Sequence, residues 1–102
     1  MTVEELKALL DAGDSCCVLD VREARELAIA AFPFDVLHIP MGQVPARLDE
    51  IPKDRTVVCA CRSGNRSAHV AAFLRTHGRD AVNLDGGILA WSSRLDPSIP
   101  QY

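Results

Sequence analysis

Apolar positions follow two alternating rhythms along the chain, one helical and one extended. Val3, Leu6, Leu9 and Leu10 mark one face of a short helix, opened by the capping-box pair Thr2 and Glu5 and closed by Gly13. Cys17-Val18-Leu19 then reads as a short buried strand ending at Asp20. Glu23 to Ile29 is helix-like and is stopped by Pro33; Val36 to Ile39 predicts a second strand, ended by Pro40. Gln43 to Ile51 suits a short helix with Pro52 after it. Thr56-Val57-Val58-Cys59-Ala60 is the clearest strand, β-branched and uncharged. Asn65 to His77 is the clearest helix: Val70, Phe73, Leu74 and His77 fall at i, i+3, i+4 and i+7, with Gly78 as its cap. Ala81 to Leu84 predicts another strand, and Ile88 to Leu95 a last helix before a tail containing proline. Strands alternating with helices predict an α/β fold, a largely parallel sheet covered on both faces, in one domain over residues 1–102.

Composition narrows the partners. The 102 residues carry a net charge of −3, which draws the molecule as a whole neither to nucleic acid nor to an anionic membrane. Attraction for an anionic substrate must then be local. Met1 to Glu5 lacks the basic segment and apolar run of a secretory signal, and no apolar stretch is long enough to span a bilayer, so a soluble cytoplasmic protein is expected. The four cysteines, Cys16, Cys17, Cys59 and Cys61, are adjacent or one residue apart, a poor disulfide framework. They form no paired Cys-x-x-Cys units, and His69 and His77 supply no second ligand pair, so free thiols and no structural metal are expected.

In open parallel sheets the working site lies beyond the carboxyl ends of the strands. Of the loops placed there, Cys61-Arg62-Ser63-Gly64-Asn65-Arg66-Ser67 stands apart, because it joins the strongest strand to the strongest helix. A cysteine in that place meets backbone N–H groups and a helix N-terminus, both of which favour an anion. Arg62 and Arg66 add positive charge, and Gly64 lets the backbone curl closely around whatever Cys61 carries. Together they predict a stabilised thiolate, nucleophilic near neutral pH.

This loop resembles the active-site loop of rhodanese-like sulfurtransferases. The resemblance extends to Leu19-Asp20-Val21-Arg22-Glu23, to His38-Ile39-Pro40-Met41 and to Asp85-Gly86-Gly87-Ile88-Leu89-Ala90-Trp91, in family order and spacing over nearly the whole chain. It implies a rhodanese-like fold with a mostly parallel sheet of about five strands. It also implies a thiosulfate sulfurtransferase in which Cys61 takes the outer sulfur of a donor such as thiosulfate and passes it to a thiophilic acceptor: cyanide, a thiol or a sulfur-carrier protein. Backbone N–H groups of residues 62 to 66 would hold the terminal sulfur, with Arg62 and Arg66 attracting the donor's sulfonate. No metal or organic cofactor is implied. A persulfide carrier fed by a partner protein is the alternative. Related phosphatases and arsenate reductases resemble Cys-x5-Arg; here Arg66 follows Cys61 after four residues, Ser67 takes the later position, and Ala60 replaces the histidine common before that cysteine. The tighter ring suits a single sulfur atom, and Ser67 could simply cap the helix.

The resemblance assigns structural support to Asp20 and Arg22, which brace neighbouring loops, and close packing to Gly86 and Gly87. Trp91 is expected in the core. Cys59 lies two positions from Cys61, hence on the same side of the strand, where a resolving thiol is conceivable but a Cys-x-Cys disulfide would be strained. Of Cys16 and Cys17, one is expected to face the core and the other a solvated loop. His38, His69 and His77 offer no evident general base. Ala31-Phe32-Pro33-Phe34-Asp35 is bulkier than the family pattern, and its phenylalanines suit either the pocket entrance or the core.

Overall fold

The computed structural model describes residues 1–102. The strands are β1 (Cys17–Asp20), β2 (Leu37–His38), β3 (Val57–Ala60) and β4 (Ala81–Asn83), and the helices α1 (Val3–Asp11), α2 (Ala24–Ile29), α3 (Asn65–Thr76) and α4 (Gly87–Arg94). The sheet runs β2-β1-β3-β4 with every pairing parallel. Cys17 pairs with Val57 and Asp20 with Ala60, so the two central strands end level. Their next residues, Val21 and Cys61, leave the sheet side by side.

Alternation along the strands divides the interior into two cores. Leu19, Val57 and Cys59 face α3, meeting Val70, Ala71 and Leu74. Val18, Val58 and Ala60 face the opposite way, with Val3 and Leu6 of α1 and Ile88 and Trp91 of α4. A strand buried on both faces reads as a continuous apolar run, which is why residues 57–60 were so legible. α1 opens on the Thr2–Glu5 capping box, each side chain accepting from the other's backbone amide.

Three expectations need correction. The sheet has four strands rather than about five. The fifth place, outside β4, is held by a single residue: the Met1 amine donates to the Asn83 carbonyl at 2.9 Å and the Asp85 amide to the Met1 carbonyl at 2.8 Å. One bracketing residue makes a rung, not a strand. The helix expected over residues 43–51 is instead two 3-10 segments, Met41–Gln43 and Pro45–Glu50, because Pro45 has no N–H and the backbone kinks at Arg47 (φ −114°, ψ 22°). The buried stripe of α3 is Ser67, Val70, Ala71 and Leu74, shifted from the expected one; His77 is exposed and stacks on the half-buried Phe73 with ring centres 4.2 Å apart.

Asp20 and Arg22 are both fully buried. The Arg22 guanidinium meets the Asp20 carboxylate at 2.8–3.1 Å through Nε and one terminal nitrogen, and its other terminal nitrogen donates to the Ala30 carbonyl at 2.8 Å. The pair thus ties the end of β1 to the end of α2. Removing the carboxylate would strand a buried cation, which typically costs about 3–5 kcal/mol. Asp20→Ala is expected to lower unfolding stability by that order in urea titration, and Asp20→Asn, which keeps an acceptor, by less.

Candidate active site

Cys61 is the first residue beyond β3, and beside it the Val21 amide donates to the Ala60 carbonyl at 2.9 Å. It keeps to the face of the first core and is 1 % exposed. The chain turns through Arg62 and Ser63 to Gly64, whose φ of +101° suits glycine, and enters α3 at Asn65. Two elements clamp this turn. From the first turn of α4, the Ile88 amide donates to the Cys61 carbonyl at 3.0 Å and the Leu89 amide to the Arg62 carbonyl at 3.1 Å. Gly87 lies so near that a Cβ there would stand 2.4 Å from the Cys61 oxygen and 2.5 Å from the Arg62 oxygen. Gly86 precedes it in the same turn, where a Cβ would meet Ala90 at 2.5 Å. From β4, Asn83 Nδ2 donates to the Gly64 carbonyl at 3.1 Å.

A trans peptide that points its carbonyl one way sends its N–H the other. With the Arg62 carbonyl drawn to α4, the Ser63 amide turns towards the sulfur. The Gly64 amide donates to Cys61 Sγ at 3.1 Å, and the Ser67 hydroxyl lies 3.2 Å from it. Burial alone would raise the thiol; the Ser67 hydroxyl and the amides of Ser67, Gly64 and Ser63 outweigh it, and the Cys61 pKa falls below its ordinary value. No imidazole takes part. His38 Nε2 meets the Arg22 carbonyl at 2.6 Å and His77 Nδ1 the Phe73 carbonyl at 2.8 Å.

Cys59 shares the core face with Cys61 but has no such donors, and burial, with a smaller contribution from Cys17, pushes its thiol up to about 12. The Cys16 and Cys17 thiols are raised too, chiefly by burial. Neither fits the expected split between core and solvent: both are half-buried, Cys17 at the start of β1 against the first core and Cys16 just before it against the second. No three His, Cys, Asp or Glu side chains gather to hold a metal.

The two loop arginines are already partnered. Arg66 forks onto the Glu26 carboxylate of α2 at 2.6 and 2.9 Å. That pairing, with the Tyr102 hydroxyl donating at 2.7 Å, holds the Glu26 carboxyl down at about 2 despite its burial. The same Tyr102 hydroxyl accepts from Arg22 at 3.0 Å. Arg62 donates to the Tyr102 carbonyl and lies over its ring, 5.1 Å from the centre. Ser63 and Asn65 project into solvent. Glu26, Asn83 and Tyr102 therefore join a site that sequence reasoning had drawn without them. Ser67, expected as a possible helix cap, does not cap α3, whose N-cap is Gly64, but turns its hydroxyl to the sulfur and Asn83. Phe32 and Phe34 belong to the second core, packed edge-on against Trp91 with centres 6.2 and 5.1 Å away. Phe34 and Pro33 line a cavity of about 310 Å³ with Lys7 and Leu10, not with the Cys61 loop.

Comparison with known proteins identifies the family and the fold. Residues 2–94 match the family described as the rhodanese-like domain. A sulfurtransferase of Allochromatium vinosum is 43% identical over 90 residues, covering 87% of this chain and 83% of that one. YtwF of Bacillus subtilis is 37% identical over 92 residues, covering 90% and 88%. The crystal structure of a rhodanese-like domain protein from Staphylococcus aureus superposes with a TM-score of 0.85 at 33% identity, covering 100% of this chain and 96% of that one.

Two outcomes are expected. Gly87→Ala forces a methyl into the Cys61 and Arg62 carbonyls at positive φ, so stability should drop by about 1–3 kcal/mol and Cys61 alkylation at neutral pH should slow as the loop shifts. Glu26 titrates at about 2 in the folded chain against an ordinary 4.5, so its stabilising contribution is full above about pH 4.5 and is lost as pH falls towards 2. The stability advantage of wild type over Glu26→Gln, roughly 1–3 kcal/mol by denaturant titration at pH 7, should accordingly shrink through that window.

Proposed function

The chain belongs to the rhodanese-like domain family and is a sulfurtransferase, and from that premise we propose that Cys61 carries the sulfur as a persulfide with thiosulfate as a donor. The observation that carries this reading is the setting of the Cys61 sulfur: it receives an amide and a hydroxyl, its pKa is lowered, and no side-chain base stands beside it. Donors at the sulfur and a lowered pKa favour the thiolate, which is the nucleophilic form.

In the first half-reaction the Cys61 thiolate attacks the outer sulfur of thiosulfate. A new S–S bond forms, the old one breaks, and sulfite leaves with its electron pair. The charge now rests on the terminal sulfur, for which the loop amides are the nearest donors, as in an oxyanion hole. In the second, an acceptor such as cyanide or a thiolate attacks that terminal sulfur, and the Cys61 thiolate departs. Substrates alternate on one residue, so ping-pong kinetics are expected. The loop dimensions favour this over phosphoryl chemistry: Ser67, buried against the sulfur, occupies the place where Cys-x5-Arg enzymes carry their arginine, and Arg66 is turned to Glu26. The free cysteines suit a reducing cytoplasm, where we place the protein.

One observation favours a second reading, a persulfide carrier loaded by a partner protein. With Arg66 forked onto Glu26 and Arg62 held by Tyr102, less positive charge is free for a dianionic donor. Poor turnover at saturating thiosulfate, together with fast loading by a desulfurase, would favour the carrier.

The direct experiment is intact-protein mass spectrometry before and after incubation with thiosulfate. Wild type should gain one sulfur atom, which cyanide removes as thiocyanate, and Cys61→Ala should gain none. Sulfur retained by Cys61→Ala, or none taken by wild type in large thiosulfate excess, would overturn the thiosulfate reading.

A further inference from the structure

The Ser67 hydroxyl has one proton and two claimants. Its oxygen lies 3.2 Å from Cys61 Sγ and 2.6 Å from Asn83 Oδ1. Ser67 is fully buried. The orientation of Asn83 follows from its other contact: the Gly64 carbonyl, 3.1 Å away, can only accept, so Nδ2 faces it and Oδ1 faces Ser67. Oδ1 has no proton to give, so it too must accept from the hydroxyl.

We propose that Asn83 is a positioning residue for Cys61: it takes the Ser67 hydrogen bond while the sulfur is uncharged and yields it when the sulfur becomes a thiolate. A neutral sulfur is a weak acceptor, so the O–H then points to the Asn83 amide oxygen, 2.6 Å away. With a thiolate, the charged acceptor wins the hydroxyl, and Oδ1 is left without a donor. The proton stays on Ser67 Oγ throughout; only its direction changes. Asn83 thereby limits how far Ser67 can stabilise the thiolate. That limit matters for a sulfur that must serve both as nucleophile and as leaving group, since nucleophilicity falls as thiol pKa falls while departure quickens.

This last step rests on the sulfur-transfer reading. As an acceptor bonds to the terminal persulfide sulfur, the S–S bond breaks and its electron pair stays on Cys61 Sγ. Charge returns to the atom that Ser67 faces, and the hydroxyl swings from Asn83 to meet it. Losing the hydroxyl should then slow sulfur release more than sulfur loading.

The titration of Cys61 can be read cleanly. The charged groups beside it are the guanidiniums of Arg62 and Arg66 of its own loop, common to all the variants compared. Glu26 of α2 is committed to Arg66, Asp20 at the end of β1 to Arg22, and Asp85 in the β4–α4 turn lies 3.5 Å from the Met1 amine. The groups facing it from α3 and β4, Ser67 and Asn83, are uncharged, and Cys59 on β3 titrates far higher. The Met1 amine, which donates to the Asn83 carbonyl, is common to all variants and cancels between them.

The test is the pH dependence of Cys61 alkylation by iodoacetamide, followed by mass spectrometry on the full chain. Ser67→Ala should slow alkylation at pH 6 by roughly tenfold, the worth of one hydrogen bond to a charged group. Asn83→Ala should speed it several-fold, because the hydroxyl is then committed to the sulfur. The double variant should match Ser67→Ala alone, since Asn83 acts only through the hydroxyl. If Asn83→Ala fails to fold, Asn83→Asp should slow alkylation in wild type and lose most of that effect in the Ser67→Ala background. Slowing by Asn83→Ala, or additive effects in the double variant, would overturn the proposal and leave Asn83 as a loop scaffold. Equal slowing of loading and release by Ser67→Ala would overturn the role in sulfur departure. None of the alkylation results depends on a sulfur donor, so a wild type that takes no sulfur from thiosulfate would count against the functional reading alone.

Discussion

Two hydrogen bonds from the first turn of α4 hold the site in its working shape. The Ile88 and Leu89 amides take the carbonyls of Cys61 and Arg62. Peptide planarity does the rest: a carbonyl anchored outward turns its paired N–H inward. One donor near the sulfur, the Ser63 amide, is thus set by α4, while the Gly64 amide and the Ser67 hydroxyl reach it from the loop and the first turn of α3. Close approach of two backbones is the precondition, and Gly87 supplies it, since any side chain there would collide with both carbonyl oxygens. The Asp-Gly-Gly turn and the cysteine loop are one device, although 25 residues of chain separate Cys61 from Gly86.

Charge is handled by the same economy of partners. Asp20 and Arg22 sit fully buried and satisfy each other, while Arg22 reaches on to the Tyr102 hydroxyl. Tyr102 hands a hydrogen bond to Glu26, and Glu26 grips Arg66. The chain of contacts runs from the end of β1 to the first turn of α3 and fixes the loop's second arginine from outside. Its consequence is an anion site built mainly from dipoles rather than free cations. Such a site suits a polarisable sulfur anion that must come and go, because neutral donors bind it without the hold of a full positive charge.

How much of this could be read from residues depended on the range of the interaction. The strands and the loop were legible because their signals are local: β-branched runs in 57–60, and cysteine, glycine and arginines packed into seven positions. The Thr2–Glu5 box was equally local and is formed as read. The expected α3 stripe begins at Val70, whereas the same i, i+3, i+4, i+7 spacing begun at Ser67 gives the buried face, with small Ser67 and Ala71 in place of the larger Phe73 and His77. Small residues on a buried face mean close approach, which was the available signal that Ser67 meets the sulfur. Glu26, Asn83 and Tyr102 had no local signal. They reach the site across 40, 16 and 40 residues, to Arg66, Ser67 and Arg62 respectively, and only the assembled sheet brings them there.

Cys59 and Cys61 make the physical cause plain. They lie two residues apart, on one face of one segment, against the same core, and both are almost completely buried. Burial alone would silence both thiols. At Cys59 the strand continues, its neighbouring amides are spent on the sheet, and the thiol is pushed up to about 12. At Cys61 the strand has ended and the chain turns, so the amides of Ser63, Gly64 and Ser67 reach the sulfur, and the pKa moves the other way. Reactivity here follows from where a strand stops, and the core that buries the sulfur also keeps water from competing for its donors.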